Sequence, residues 1–285
     1  MKYIPKEIPE GINVTSRHPW LNFLYLLGTV VVATVLIFVV LGFVASFLAT
    51  RISPEIESKI GDMLILSVIE DEIQDDKRIP YLKELLDSLP VSGETIRLPL
   101  KIHLIKSDVI NAAIMAGGHV LVHTALLENI ESENELAFVL AHELGHFQAR
   151  DPLKSLGRSL VFMMISTVLG VGLSESGGYL PEMVQLTFDL TNLSYSRTQE
   201  RNADIYGFSR VINHYGHGAH CLNFFNLLAK GEGHLQKVSK YFSTHPLSQE
   251  RINDLSAKAA EKGWKMEGGK TPLPQWLHYP KIEPC

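Results

Sequence analysis

Cysteine is almost absent from this chain. Only Cys221 and Cys285 occur in 285 residues, so neither a disulfide framework nor a cysteine-rich zinc module holds it together. Any metal must be held by histidine and carboxylate. A basic surplus is missing too: 26 Lys and Arg face 31 Asp and Glu, for a formal net charge of −5. That balance excludes nucleic acid as a partner, because such binding needs a positive face to displace counterions. The composition of a disordered chain is also lacking, since 46% of residues are hydrophobic and 20% charged, enough for a core of one or two domains. Neither an internal repeat nor a low-complexity tract interrupts the sequence.

The most local absence is of charge. None of the thirty residues from Leu21 to Thr50 is charged, and at about 1.5 Å per residue a helix of that stretch outruns the roughly 30 Å hydrocarbon layer of a bilayer. Buried core helices rarely run so far without a charge. A cleaved signal has an apolar region of about 7–15 residues ending in small side chains, whereas this stretch exits through Phe47-Leu48-Ala49-Thr50-Arg51. Residues 21–50 therefore read as a single uncleaved transmembrane anchor in contact with the lipid bilayer, after an N-terminal segment 1–20. Lys2, Lys6 and Arg17 precede it and Arg51 and Lys59 follow, a small bias that puts the N-terminus inside and the C-terminal bulk on the non-cytoplasmic side. A second uncharged run, Ser159–Ser174, gives about 24 Å of helix and falls short of a span. A packing helix and a hairpin dipping into the membrane both fit it.

Beyond the anchor, Ile52–Leu89 reads as helical. Ser53-Pro54-Glu55 makes a cap with proline in the first turn, Ile56, Ile60, Met63, Leu64 and Val68 recur at helical spacing, and a second short helix runs from Pro80 to Leu89. The period then changes. Leu98–Lys106 alternates in part, and Asn111–Met115 and His119–His123 flank Ala116-Gly117-Gly118, the pattern of a small sheet with a hairpin. Helices follow from Thr124, and residues 263–285, rich in Pro and Gly, read as a tail.

Chemistry concentrates at Ala141-His142-Glu143-Leu144-Gly145-His146, an H-E-x-x-H sequence. On a helix, positions i and i+4 share a face, so both imidazoles can reach one cation while Glu143 touches a water bound to it. The helix is encoded: Ser132-Glu133-Asn134-Glu135 fits a capping box, Leu136, Val139 and Leu140 form an apolar stripe, and Pro152 ends the run. The pattern calls for one zinc ion per chain with a third ligand downstream. Glu200 is a candidate, with Asp204 one turn further on and able to accept the free N–H of a ligating histidine; spacing alone does not choose Glu200 over Glu175 or Glu182. His214-Tyr215-Gly216-His217-Gly218-Ala219-His220 looks like a metal tract, but its glycines fit a connection before a helix. His103, His119 and His123, alternating on strands, read as packing or edge residues.

These motifs resemble the integral-membrane zinc metallopeptidases that include the heat-shock protease HtpX and the CAAX prenyl proteases, the HtpX side more closely. His142 to His146 followed by Phe147-Gln148-Ala149-Arg150-Asp151 matches H-E-x-x-H-x-x-x-R-D. Glu200-Arg201-Asn202-Ala203-Asp204 matches E-x-x-A-D, with Arg201 where an aromatic is common. Asn111-Ala112-Ala113 with Gly117-Gly118 is similar to an asparagine-alanine strand and glycine hairpin, with Ala116 in place of a common proline. Thr244-His245-Pro246 with Glu250-Arg251-Ile252 is similar to a late histidine-proline motif.

The resemblance covers about Ile52–Ala260. It implies an α+β, mainly helical zincin-type metalloprotease domain over residues 51–262 with a small sheet and hairpin. Zinc ligands are then His142, His146 and Glu200, with Glu143 as general base. Polypeptide substrates are expected to bind as an added strand near His119–His123, the expected sheet edge, in a bacterial inner-membrane protein of membrane or envelope protein quality control. His245, with Arg251 nearby as a second cation, fits three roles: oxyanion donor, latch on the open zinc position, or helix-start turn. A rival reading keeps the fold without turnover, as a membrane-tethered pseudoprotease or chaperone-like binding module.

Overall fold

The computed structural model describes residues 18–67, 69, 71–91, 93–168, 195–223, 245 and 249–277. Helix α1 (Pro19–Ala49) has proline in its first turn and no charge at either end. Most of its side chains are exposed, and among the described residues it is the one helix long and apolar enough to cross a membrane. Helix α2 (Pro54–Ile65) begins at Ser53, whose hydroxyl accepts the Ile56 N–H, satisfying one of the donors a helix start leaves bare.

The helical reading of Ile52–Leu89, with its second short helix from Pro80, is interrupted after Ile65. Asp71 and Asp75 adopt φ of 55° and 56°, a left-handed geometry that ends a helix, and between them Glu72–Ile73 forms strand β1. Helix α3 (Arg78–Ser88) then starts two residues before Pro80, with Asp76 Oδ1 accepting the Arg78 N–H at 2.8 Å. Strands β2 (Lys101–Ile105), β3 (Ala112–Ile114) and β4 (His119–His123) complete a sheet of order β1-β2-β4-β3. The hairpin joins β3 to β4 in antiparallel register, Ala113 opposite Leu121.

One expectation is corrected here. His119–His123 is no edge: β4 pairs in parallel with β2, Lys101 opposite His119, and is flanked on both sides. Its first four residues are all buried, as a central strand requires; the parallel partner arrives by a crossover that no local spacing announces. The edge next to the chemistry is β3.

Helices α4 (Thr124–Asn129), α5 (Glu133–Gln148), α6 (Asp151–Val168), α7 (Arg197–Tyr215) and α8 (Gln249–Lys262) follow. Every residue of α5 from Asn134 to Phe147 is buried. It lies between β3 and α7, in a core that includes Leu82, Leu104, Val120, Leu126, Phe138 and Phe208. Its start keeps half of the expected capping box: Ser132 Oγ accepts the Glu135 N–H, while Glu135 reaches one residue further back, to the Glu131 N–H at 3.1 Å rather than to that of Ser132. Its end is held by Arg97, which donates to the Phe147 carbonyl at 2.8 Å, while Pro152 sits in the first turn of α6. The segment after α8 packs on the body, with Leu277 buried, Trp264 against Phe208 and Trp276 against Tyr81.

Candidate metal centre

Two helices meet with almost no side chain between them. A Cβ on Gly207 of α7 would stand 2.9 Å from the His142 nitrogen, and one on Gly145 of α5 would stand 3.0 Å from the Ala203 Cα. This close approach carries Glu200, in the first turn of α7, up to the two histidines of α5. That first turn is pinned by a reciprocal capping box between Ser196 and Gln199.

His142, His146, Glu200 and His245 are all buried, and one ligand atom from each lies within 4.8 Å of the others. The His142 and His146 Nε2 atoms face each other at 3.1 Å; Glu200 stands 3.5 Å from the first and 3.4 Å from the second. His245 Nδ1 is 3.2 Å from His142 Nε2 and 3.1 Å from Glu200 Oε1. Tetrahedral zinc with ligand bonds of about 2.0–2.1 Å sets its ligand atoms about 3.3–3.4 Å apart, close to this spread. Imidazole nitrogens and a carboxylate at this spacing are the donors that zinc takes, so the donor set fits a zinc ion. Among the described residues no other group of this kind converges.

The outer nitrogens are held as well. His142 Nδ1 lies 3.0 Å from Asp204 Oδ1 and His146 Nδ1 lies 3.1 Å from Asp151 Oδ2, so each ring is turned with Nε2 inward. Arg251 of α8 clamps both oxygens of Asp204, at 2.8 and 2.7 Å, and reaches Glu200 Oε2 at 2.7 Å. Burial alone would raise the pKa of Glu200, but hydrogen bonds with His142, His146 and His245 outweigh it and hold Glu200 well below the usual carboxylate range. Asp204 is lowered against its burial by His142 and Arg251. His142 is pushed up to about 9, the carboxylates of Asp204 and Glu200 overcoming the cost of burying its charge. Glu143 goes the other way, raised mainly by burial. It accepts the Ile114 N–H of β3 at 3.1 Å, and its Oε1 lies 3.3 Å from His245 Nε2.

Two contributors escaped the sequence reading, and a third was given a different part. Asp151 appeared only as the end of a motif; it comes back to His146 because the chain turns at Arg150, at φ 59°. Tyr195, unremarked beside the capping serine, stacks on His146 with ring centroids 3.9 Å apart. Arg251, read as a cation for the reaction, is taken up by Glu200 and Asp204. Glu175, Glu182, Thr244 and Pro246 lie outside the described residues. His103 and His119 form a separate run in which Glu72 Oε1 meets His103 Nδ1 at 2.6 Å, His103 Nε2 meets His119 Nδ1 at 2.9 Å, and His119 Nε2 meets Asp62 at 3.1 Å.

The family model described as Peptidase family M48 matches residues 76–259. The beta-barrel assembly-enhancing protease of Yersinia pestis is 29% identical over 195 residues, 66% of this chain and 40% of that protein. The putative beta-barrel assembly-enhancing protease of Vibrio cholerae is 27% identical over 194 residues, 64% of this chain and 40% of that protein. The mitochondrial metalloendopeptidase OMA1 of Schizosaccharomyces pombe is 26% identical over 217 residues, 75% of this chain and 60% of that protein. This chain thus spans less than two thirds of the length of each. The similarity supports the wider family and not its HtpX or CAAX protease members in particular.

Proposed function

This chain belongs to peptidase family M48, and from that premise we propose that it is a membrane-anchored zinc endopeptidase in which His142, His146 and Glu200 hold one ion. The observation that carries the reading is the pair of inward Nε2 atoms 3.1 Å apart, each ring fixed from behind by a carboxylate. Zinc bound there supplies an activated water at neutral pH and polarises the scissile carbonyl.

The protein's own groups do the rest. Glu143, buried and raised, takes the proton from the attacking water and hands it to the leaving amine; its hydrogen bond from Ile114 keeps it facing the edge strand. Asp204 and Asp151 are positioning residues that set the tautomer of the two rings, and Arg251 fixes Asp204 and Glu200 together. The polypeptide substrate adds as a strand to the outer side of β3, main-chain bonds supplying affinity. His245 Nδ1 stands at the fourth corner of the site, which favours the latch among its three roles: the imidazole competes there with water and substrate. Relatives named for β-barrel assembly and for mitochondria support a role in quality control of membrane or envelope proteins; the charge bias around residues 21–50 puts the catalytic domain opposite the N-terminus.

Cleavage of casein, abolished by a chelator and restored by zinc, tests the activity. Glu143→Gln should remove turnover with zinc near one per chain, and Glu200→Gln should lose the metal as well. Turnover retained in Glu143→Gln would refute the role of Glu143. A wild-type chain that binds zinc yet cuts nothing, even after His245→Ala, would favour the pseudoprotease.

A further inference from the structure

Helix α6 runs antiparallel to α1. Ala49 shares a cluster with Leu153, a Cβ on Gly157 would lie 3.3 Å from Ala45, and one on Gly42 would lie 4.0 Å from Arg158 Cγ. Each step along α6 therefore leads back along the anchor. The α1 side of this seam is Gly42, Ala45, Ser46 and Ala49, the residues partly or wholly covered while their neighbours stay exposed. Small residues at this spacing let two helices approach closely, as they do inside bilayers.

The depth of α6 follows from arithmetic on α1. A bilayer takes about 20 residues of helix, and the uncharged stretch is thirty, so any placement of the span keeps residues 31–40 in hydrocarbon. Continuing the observed register brings α6 level with that block from about Val161 onward. There α6 has no charge: after Arg158, whose guanidinium turns back to Ser155 Oγ at 2.8 Å, none occurs from Ser159 to Val168. Two large apolar side chains one turn apart, Leu160 and Met164, are 45% and 66% exposed.

We infer that α6 beyond Arg158 is itself embedded in the bilayer, with Leu160 and Met164 facing lipid, so that two helices rather than one hold this protein in the membrane. The inference rests on α1 crossing the bilayer and decides which of the two readings of the second uncharged run holds for its first part.

The test uses the whole zinc-loaded chain with Cys221→Ala and Cys285→Ser, reconstituted in phosphatidylcholine vesicles. Single cysteines at Leu160, Met164, Val35 on α1 and Glu261 on α8 carry an environment-sensitive fluorophore. Nitroxide on the lipid chains should quench Val35 and Met164 several-fold more than aqueous iodide does, with Leu160 shallower and Glu261 showing the reverse. Met164 behaving like Glu261 while Val35 stays lipid-quenched would overturn the inference and leave the anchor intact. Met164 shielded from both quenchers would mean that a protein covers this face, which also overturns it. Val35 open to iodide would instead remove the anchor beneath the inference.

Discussion

Removing the imidazole of His245 asks what it does at the fourth corner of the metal site. As a latch it competes with water and substrate, so His245→Ala should give equal or higher casein cleavage with zinc retained. A fall in kcat of about a hundredfold would instead make it an oxyanion donor, a contribution worth about 2.7–4 kcal/mol where such donors have been removed. Arg251 offers the complementary test. Its planar fork spans both oxygens of Asp204 while reaching Glu200, which an ammonium cannot match, so Arg251→Lys should weaken zinc about 10–100-fold in a chelator competition. At this scale the sequence was legible where chemistry is local. His142, Glu143 and His146 share one helical turn, and their convergence follows from the pitch of a helix. Asp151 and Tyr195 were not legible, because one depends on the single left-handed turn at Arg150 and the other on where a loop lies against α5.

Elements meet here by contacts that a single side chain can block. Gly207→Ala would drive a methyl into the backbone of α5 at His142, a 2.9 Å approach, and should cost about 1–3 kcal/mol of stability. Because the strain falls on a proposed ligand, zinc loss should appear at lower chelator concentrations even where the protein stays folded; unchanged zinc affinity would separate helix packing from the site. The helices and the β3–β4 hairpin could be read from periodicity and glycine placement. The central position of β4 could not, since pairing in parallel with β2 is a long-range event, and β1 was hidden because two residues are too few to show a period. The run through His103 and His119 ties α2 to that sheet, and it has its own pH dependence. Burial first, and the charge of Lys101 next, push His119 down to about 4, so the folded chain refuses a proton that the unfolded chain accepts below about 6.5. No cost arises above that pH; between 6.5 and 4 it grows toward an upper bound of about 3 kcal/mol. Asparagine keeps an amide near the position of Nδ1 and cannot titrate, so the melting temperature of His119→Asn should fall less steeply over this window than that of the parent. Parallel curves would refute the assignment.

For the molecule as a whole, the question is how the catalytic body stands on its anchor. A reporter fused after Cys285 should be active on the side opposite the N-terminus; activity on the same side would reverse the orientation and leave the chemistry untouched. The long apolar helix α1 was legible from thirty uncharged residues, but its union with the body was not. Arg150 donates to the carbonyl of Ala49, the last residue of α1, at 3.1 Å and pairs with the buried Glu57 of α2 at 3.3 Å. It also lies between His146 and Asp151 in the chain. The end of α1 is thus bonded to the very turn that orients a proposed zinc ligand, leaving no slack between them. On the proposed reading, a protease mounted this way works as a ruler. Its blade sits at one height above the lipid, so substrates drifting in the same bilayer should be cut at a constant number of residues from their own spans, whatever their sequence. Cleavage positions mapped by mass spectrometry in membranes with active enzyme, compared with Glu143→Gln, should cluster by distance from the membrane more sharply than by any residue preference.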